Sequence, residues 1–172
     1  MRRSFVLLVS CLLLSACGSS DSGPIGAEDL ARQQSAADAV AREVVAALVK
    51  DMGAVPPSAD SLGQGLYAGC DGGDPDEASY FVDTFVTYEV RPPSDAAAEV
   101  LRTLEAAGLS PKTDSGSGDI SAARGEVSVD LSSQEKGGGS AGQNIFVTTG
   151  CLAIGQKAIA AFNAGNGRAV AP

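Results

Sequence analysis

Asp71, Asp74, Asp76 and Glu77 gather in the stretch DGGDPDE, the densest supply of hard oxygen ligands in the chain. A cation such as calcium needs several oxygens converging on one point. The spacing does not follow an EF-hand loop, and Pro75 limits how the backbone can wrap, so the stretch reads as a solvated turn first and a calcium site second. Asp83 and Glu89 share one face of a strand with Phe85 and Thr87 between them. Glycoside hydrolysis wants two acids facing each other across a cleft, which one strand face does not offer. The chain has no histidine, and without it histidine-based triads and His-ligated zinc are excluded. Cys70 and Cys151 lie far apart and form no Cys-x-x-Cys redox pair. Gly137-Gly138-Gly139 lacks the lysine and hydroxyl of a phosphate-binding loop and reads as flexible chain. No residue is assigned a catalytic role, and no metal or cofactor is expected. An enzyme built here would have to rely on carboxylates or hydroxyls alone.

The elements that must position these groups are legible in the hydrophobic pattern. From Glu28 to Met52, apolar residues recur at Leu30, Ala37, Val40, Val44, Ala47, Leu48 and Met52, which is helical spacing. Gly53 and Pro56-Pro57 supply the stop. Residues 65–70 form a short strand in which Leu66, Ala68 and Cys70 share a face. A long strand follows from Tyr80 to Val90, with strict alternation and many β-branched residues. Ser94 or Asp95 caps a second helix that runs to Ala107, and Gly108, Leu109 and Pro111 end it. Ile120–Arg124, Glu126–Ser132 and Asn144–Ile154 read as three further strands, residues 156–163 as a short third helix, and 166–172 as a loose tail. Strands joined by short loops pair antiparallel and helices cover one face. The expected fold is therefore α+β, a two-layer sandwich with an antiparallel sheet of about five strands and two main helices on one face. Residues 28–165 make the single domain.

Alternation also predicts an aromatic surface. If Val82, Val86, Val127, Val129, Ile145 and Val147 pack against the helices, Phe81, Phe85, Phe146 and, with them, Tyr67 turn to the other face. Such a patch on an open sheet is a partner or ligand surface. The expected cover for it within the chain is the third helix, through Ile159 and Phe162, or the N-terminal segment.

The first residues carry a different message. Met1-Arg2-Arg3 is a short positive start and Phe5–Leu14 is almost wholly apolar. That run is too short to span a bilayer and matches the apolar core of an export signal. Leu14-Ser15-Ala16-Cys17 resembles the lipobox of bacterial lipoproteins, in which the cysteine thiol is acylated before cleavage on its N-terminal side. The resemblance implies a signal peptide over 1–16, lipid such as palmitate on Cys17, a tether over 17–27 and a location on the extracytoplasmic side of the cell membrane. Arg2-Arg3-Ser4-Phe5 resembles a twin-arginine signal but lacks its polar lead-in, so the general secretion route is expected. Two acyl chains anchor stably where one does not. Once exported, Cys70 and Cys151 form an even pair in an oxidising compartment, and a disulfide is the expected state.

Beyond the leader, the order of elements, with Tyr67 shortly before Cys70, an Ala-Gly helix end and a late Cys151, is similar to small uncharacterised lipoproteins of actinobacteria. Leu109 stands where such proteins often carry tryptophan. The resemblance implies envelope location and no known activity. Removing the signal takes Arg2 and Arg3 away from a chain that already has 12 basic against 21 acidic residues. So acidic a surface repels phosphate backbones, and nucleic acid is not an expected partner. The leading reading is a membrane-anchored, non-enzymatic binding or interaction domain whose partner is an envelope protein or small ligand. The alternatives are a solute-binding or sensory module, or an enzyme of the restricted kind above.

Overall fold

A computed structural model describes residues 27–70, 72–88, 96–113, 119–135, 141–165 and 167–172. The signal peptide, Cys17 and nearly all of the tether fall outside these residues, as does Asp71. In chain order the elements are α1 (Ala27–Met52), β1 (Ala54–Val55), β2 (Gly63–Gly69), β3 (Glu77–Tyr88), α2 (Ala96–Ala106), β4 (Ser110–Thr113), β5 (Ile120–Arg124), β6 (Val127–Glu135), β7 (Ala141–Thr148), β8 (Leu152–Ala153), α3 (Gln156–Ala164) and β9 (Arg168–Val170).

The α+β class and the antiparallel sheet stand, but the count expected from sequence does not. The described residues form one sheet of nine strands with three helices, not about five strands with two. The strand order is β4-β5-β6-β7-β3-β2-β9, with β1 and β8 also paired to β3. β3 is the centre because it is long enough to be shared. β2 and then β1 run along one edge of it, while β7 and then β8 run along the other. The expected last strand is in fact two, since the backbone leaves the ladder between Thr148 and Leu152. Residues 168–170, expected as loose tail, pair with β2 instead and carry Val170 at 0% exposure.

Register decides which residues meet the helices. Ala78, Tyr80, Val82, Val86 and Tyr88 of β3 are buried on the same face as Val127, Val129 and Leu131 of β6 and Ile145 and Val147 of β7. Against them pack Ala37, Val40, Ala41, Val44, Val45 and Leu48 of α1, with Val100 and Leu104 of α2. Each large aliphatic side chain buried this way contributes about 1.5–3 kcal/mol. α1 ends where Gly53 takes φ +65°, a conformation that costs glycine least. The β5–β6 hairpin closes on a two-residue turn, with Gly125 at φ +62° and Arg124 opposite Val127.

Candidate functional site

One face of the sheet carries no helix among the described residues, and this helix-free face holds the opposite parity of every strand. Across its middle, antiparallel register places Gln64, Asp83, Phe146, Asp130 and Ser121 in one row. Beside it run Leu66, Phe81, Thr148, Ser128 and Ala123 in a second row, and Phe85, Asn144 and Ser132 in a third. Phe81 and Phe85 are half-buried among their neighbours, and Phe146 is 38% exposed. Val55, paired with Thr87 on the same face, is 39% exposed. None of the three phenylalanines belongs to the cluster that the helices share with the sheet. Phe85 lies across Gly142 so closely that a β-carbon there would collide with the ring at 2.1 Å, so Phe85 also covers backbone.

Electrostatics mark the same row. Asp130 accepts a 2.5 Å hydrogen bond from the Ser121 hydroxyl. Asp83 is exposed on this face, and partial desolvation by its neighbours holds its carboxyl above the usual carboxylate range.

Tyr67 does not join this face. It pairs with Tyr80, whose parity points to the helices, and both are buried there. Ile159 and Phe162 of α3 pack against the core from that side, so the expected cover for the phenylalanines covers the tyrosines instead. The Tyr67 ring meets those of Tyr80 at 5.3 Å and Phe162 at 5.0 Å, both edge-on. Asn163 receives the Tyr67 N–H at 3.1 Å and donates to its carbonyl at 2.7 Å, extending the β2 ladder by a side chain. Tyr67 is therefore structural.

A buried acid completes that region. Asp38 of α1 is 5% exposed, accepts the Tyr80 hydroxyl at 3.1 Å and pairs with Arg168 of β9. Burial first, then the Asp38 charge, pushes the Tyr80 hydroxyl up to about 12. The cluster clamps β9 and α3 to the domain. Sequence reasoning missed both ends of it. Asp38 interrupts the apolar stripe of α1, which was the available signal, and Arg168 sits in what reads as a tail.

The acidic stretch is used by the backbone. Asp74 Oδ1 accepts the Asp76 N–H at 2.9 Å, and Asp76 Oδ1 accepts the Gln156 N–H at the start of α3 at 3.2 Å. Among the described residues no three metal-ligating side chains gather. Cys70 and Cys151 are bonded, with Cα atoms 6.2 Å apart. They flank the start of β3, which lies between the strand leading to Cys70 on one side and β7 and β8 on the other.

Two serine spacings familiar from hydrolases also occur, Gly138-Gly139-Ser140-Ala141-Gly142 and Ser133-Gln134-Glu135-Lys136. The first falls on the connection between antiparallel β6 and β7, whereas a nucleophile elbow joins a strand to a helix. The second begins on β6, where residues three apart face opposite sides of the sheet, and its Lys136 lies outside the described residues.

A groove of about 800 Å³ opens between the first turns of α1 and the ends of β5, β6 and β7, lined by Arg32, Gln33, Arg124, Glu126, Val127 and Leu152 among others. Gln33 donates to the Gly150 carbonyl at 2.5 Å. Arg32 pairs with Asp29, and Arg124 reaches Glu43 at 2.6 Å. Among the described residues no helix is long and apolar enough to cross a membrane.

Compared with family models, curated proteins and solved structures, the chain shows no match in any of the three.

Proposed function

We propose that this chain is a lipoprotein of the cell envelope, held by lipid on Cys17, whose domain binds a partner through the helix-free face of its sheet. The observation that supports the binding reading is the separation of the two faces. The helices share one face, and Phe81, Phe146, Leu66 and Val55 stand on the other within polar and acidic surroundings. An apolar patch rimmed by polar residues is the usual mark of an interaction site. The leader supports the anchor: a positive start, an apolar run and Leu14-Ser15-Ala16-Cys17 in order. Two acyl chains on the cysteine hold the domain at the surface.

Cells expressing the chain with labelled fatty acid test the anchor. Label on the wild type and none on Cys17→Ala supports it; equal label on both defeats it. Crosslinking in the same cells tests the face. Phe146→Ala, at the exposed ring, should leave the denaturation midpoint nearly unchanged and remove a crosslinked partner. A large loss of stability with crosslinks unchanged would refute the binding reading.

A second reading, a solute-binding module, is favoured by the groove beside α1. Its volume suits a small ligand.

A further inference from the structure

Resting on the reading that the helix-free face is the binding surface, we propose that its partner is a basic protein surface, which seats an arginine side chain on Phe146 between Asp83 and Asp130. Register fixes the geometry. Asp83 and Asp130 are the two cross-strand neighbours of Phe146, one on each side. Side chains in such positions begin about 5 Å apart. A guanidinium lying on the phenyl ring is attracted by the ring face and meets a carboxylate at either edge. Asp130 is already oriented by the Ser121 hydroxyl, which leaves its other oxygen for the partner. Asp83 is exposed beside Phe146, so its carboxylate is open to an incoming cation.

Charge complementarity also separates the possible occupants. The central row ends at Lys112 of β4, opposite Ser121. Between Gln64 and Ser121 that row and the two beside it hold no lysine or arginine, so Phe146 and its two acidic neighbours have none next to them. A second copy of this chain would set these carboxylates against their own kind, and an anionic lipid surface would be repelled likewise. A purely apolar partner would strip Asp83 and Asp130 of water and return nothing. A basic partner satisfies the rings and the acids together. Arginine fits better than lysine because its planar group stacks on the ring while its edges donate hydrogen bonds.

The test uses the full-length isotope-labelled chain in neutral detergent micelles. The probe is a capped tetra-arginine peptide, with its citrulline counterpart as the neutral isostere. The arginine peptide should shift amide resonances around Asp83, Phe146 and Asp130, and the citrulline peptide should not. Asp83→Asn with Asp130→Asn should weaken binding about tenfold. Glu28→Gln with Asp60→Asn, two exposed acids away from these rows, should leave it unchanged. Shifts scattered over all acidic surfaces, equal weakening by the control pair, or equal binding of citrulline would each overturn the proposal. A partner captured through Phe146 in cells with no binding of the peptide defeats the cationic partner and leaves the binding reading standing. Local binding of the peptide with no cellular partner does the reverse.

Discussion

Raising the pH should unfold this protein through its tyrosines. The chain has three tyrosines and no tryptophan, so tyrosinate absorbance reports on Tyr67, Tyr80 and Tyr88 alone. They are 5%, 0% and 4% exposed. Burial pushes the Tyr80 and Tyr88 hydroxyls up to about 12 from the ordinary 10.0, with the Asp38 charge adding to the effect at Tyr80. Burial also raises Tyr67, opposed by a hydrogen bond with Gln34 and the charge of Arg168. A phenol with a raised folded pKa holds its proton more tightly in the folded state. Its contribution is therefore complete below pH 10 and is lost as pH rises through about 12. Every tenfold weakening of ionisation on folding corresponds to about 1.4 kcal/mol, so these two groups together withdraw up to about 5 kcal/mol. A domain of this size has about 5–15 kcal/mol in all. Tyrosinate absorbance and far-ultraviolet circular dichroism should be followed together across alkaline pH, with the chain in guanidinium as the unfolded reference. At about pH 11 the reference should be mostly ionised and Tyr80 and Tyr88 of the native chain hardly at all. Near pH 12 the signals should change together. Ordinary titration near pH 10 with the dichroism intact would refute the burial of these rings.

Two further outcomes concern the joints of the fold. Replacing Cys70 and Cys151 with serine opens a loop of sequence separation 81, worth about 4.5 kcal/mol by chain entropy and about 2–4 in practice. The thermal midpoint should fall by roughly 5–15 °C, and two freely alkylatable cysteines in the folded, non-reduced wild type would contradict the bond. Arg168→Met should cost about 1–3 kcal/mol, because it leaves the Asp38 carboxylate buried with the Tyr80 hydroxyl while Arg168 itself is 46% exposed and screened. Hydrogen exchange should rise first in β9, and unchanged protection there would dismiss the clamp.

How far the sequence could be read follows from element length. α1 and β3 were legible because each sustains its period over many residues, one near 3.6 and the other at two. β1, β4, β8 and β9 run from two to four residues, too short to show alternation, and they form because β2, β3 and β5 offer them an edge. β9 is the clearest case. Its short terminal sequence of mostly small residues reads as tail, and what holds it is tertiary: Val170 in the core and Arg168 against Asp38. The same limit applies to the site. Alternation within β3 and β7 separates Phe81, Phe85 and Phe146 from the valines. Within β2 it separates Tyr67 from Leu66, but only the Tyr67–Tyr80 register shows which of them meets the helices. The row Asp83, Phe146, Asp130 spans three strands, so no local pattern could assemble it. The disulfide needed only two cysteines and the expected compartment, and the bond is present.

The central claim is that the anchored domain meets its partner through the helix-free face, and a photo-crosslinking residue placed at position 146 in living cells tests it most directly. Position 49 serves as the comparison, since Val49 is equally exposed at 38% but lies on α1. The account predicts a discrete adduct from position 146 and none from position 49. An adduct from position 49 alone, or the same diffuse products from both, would contradict it.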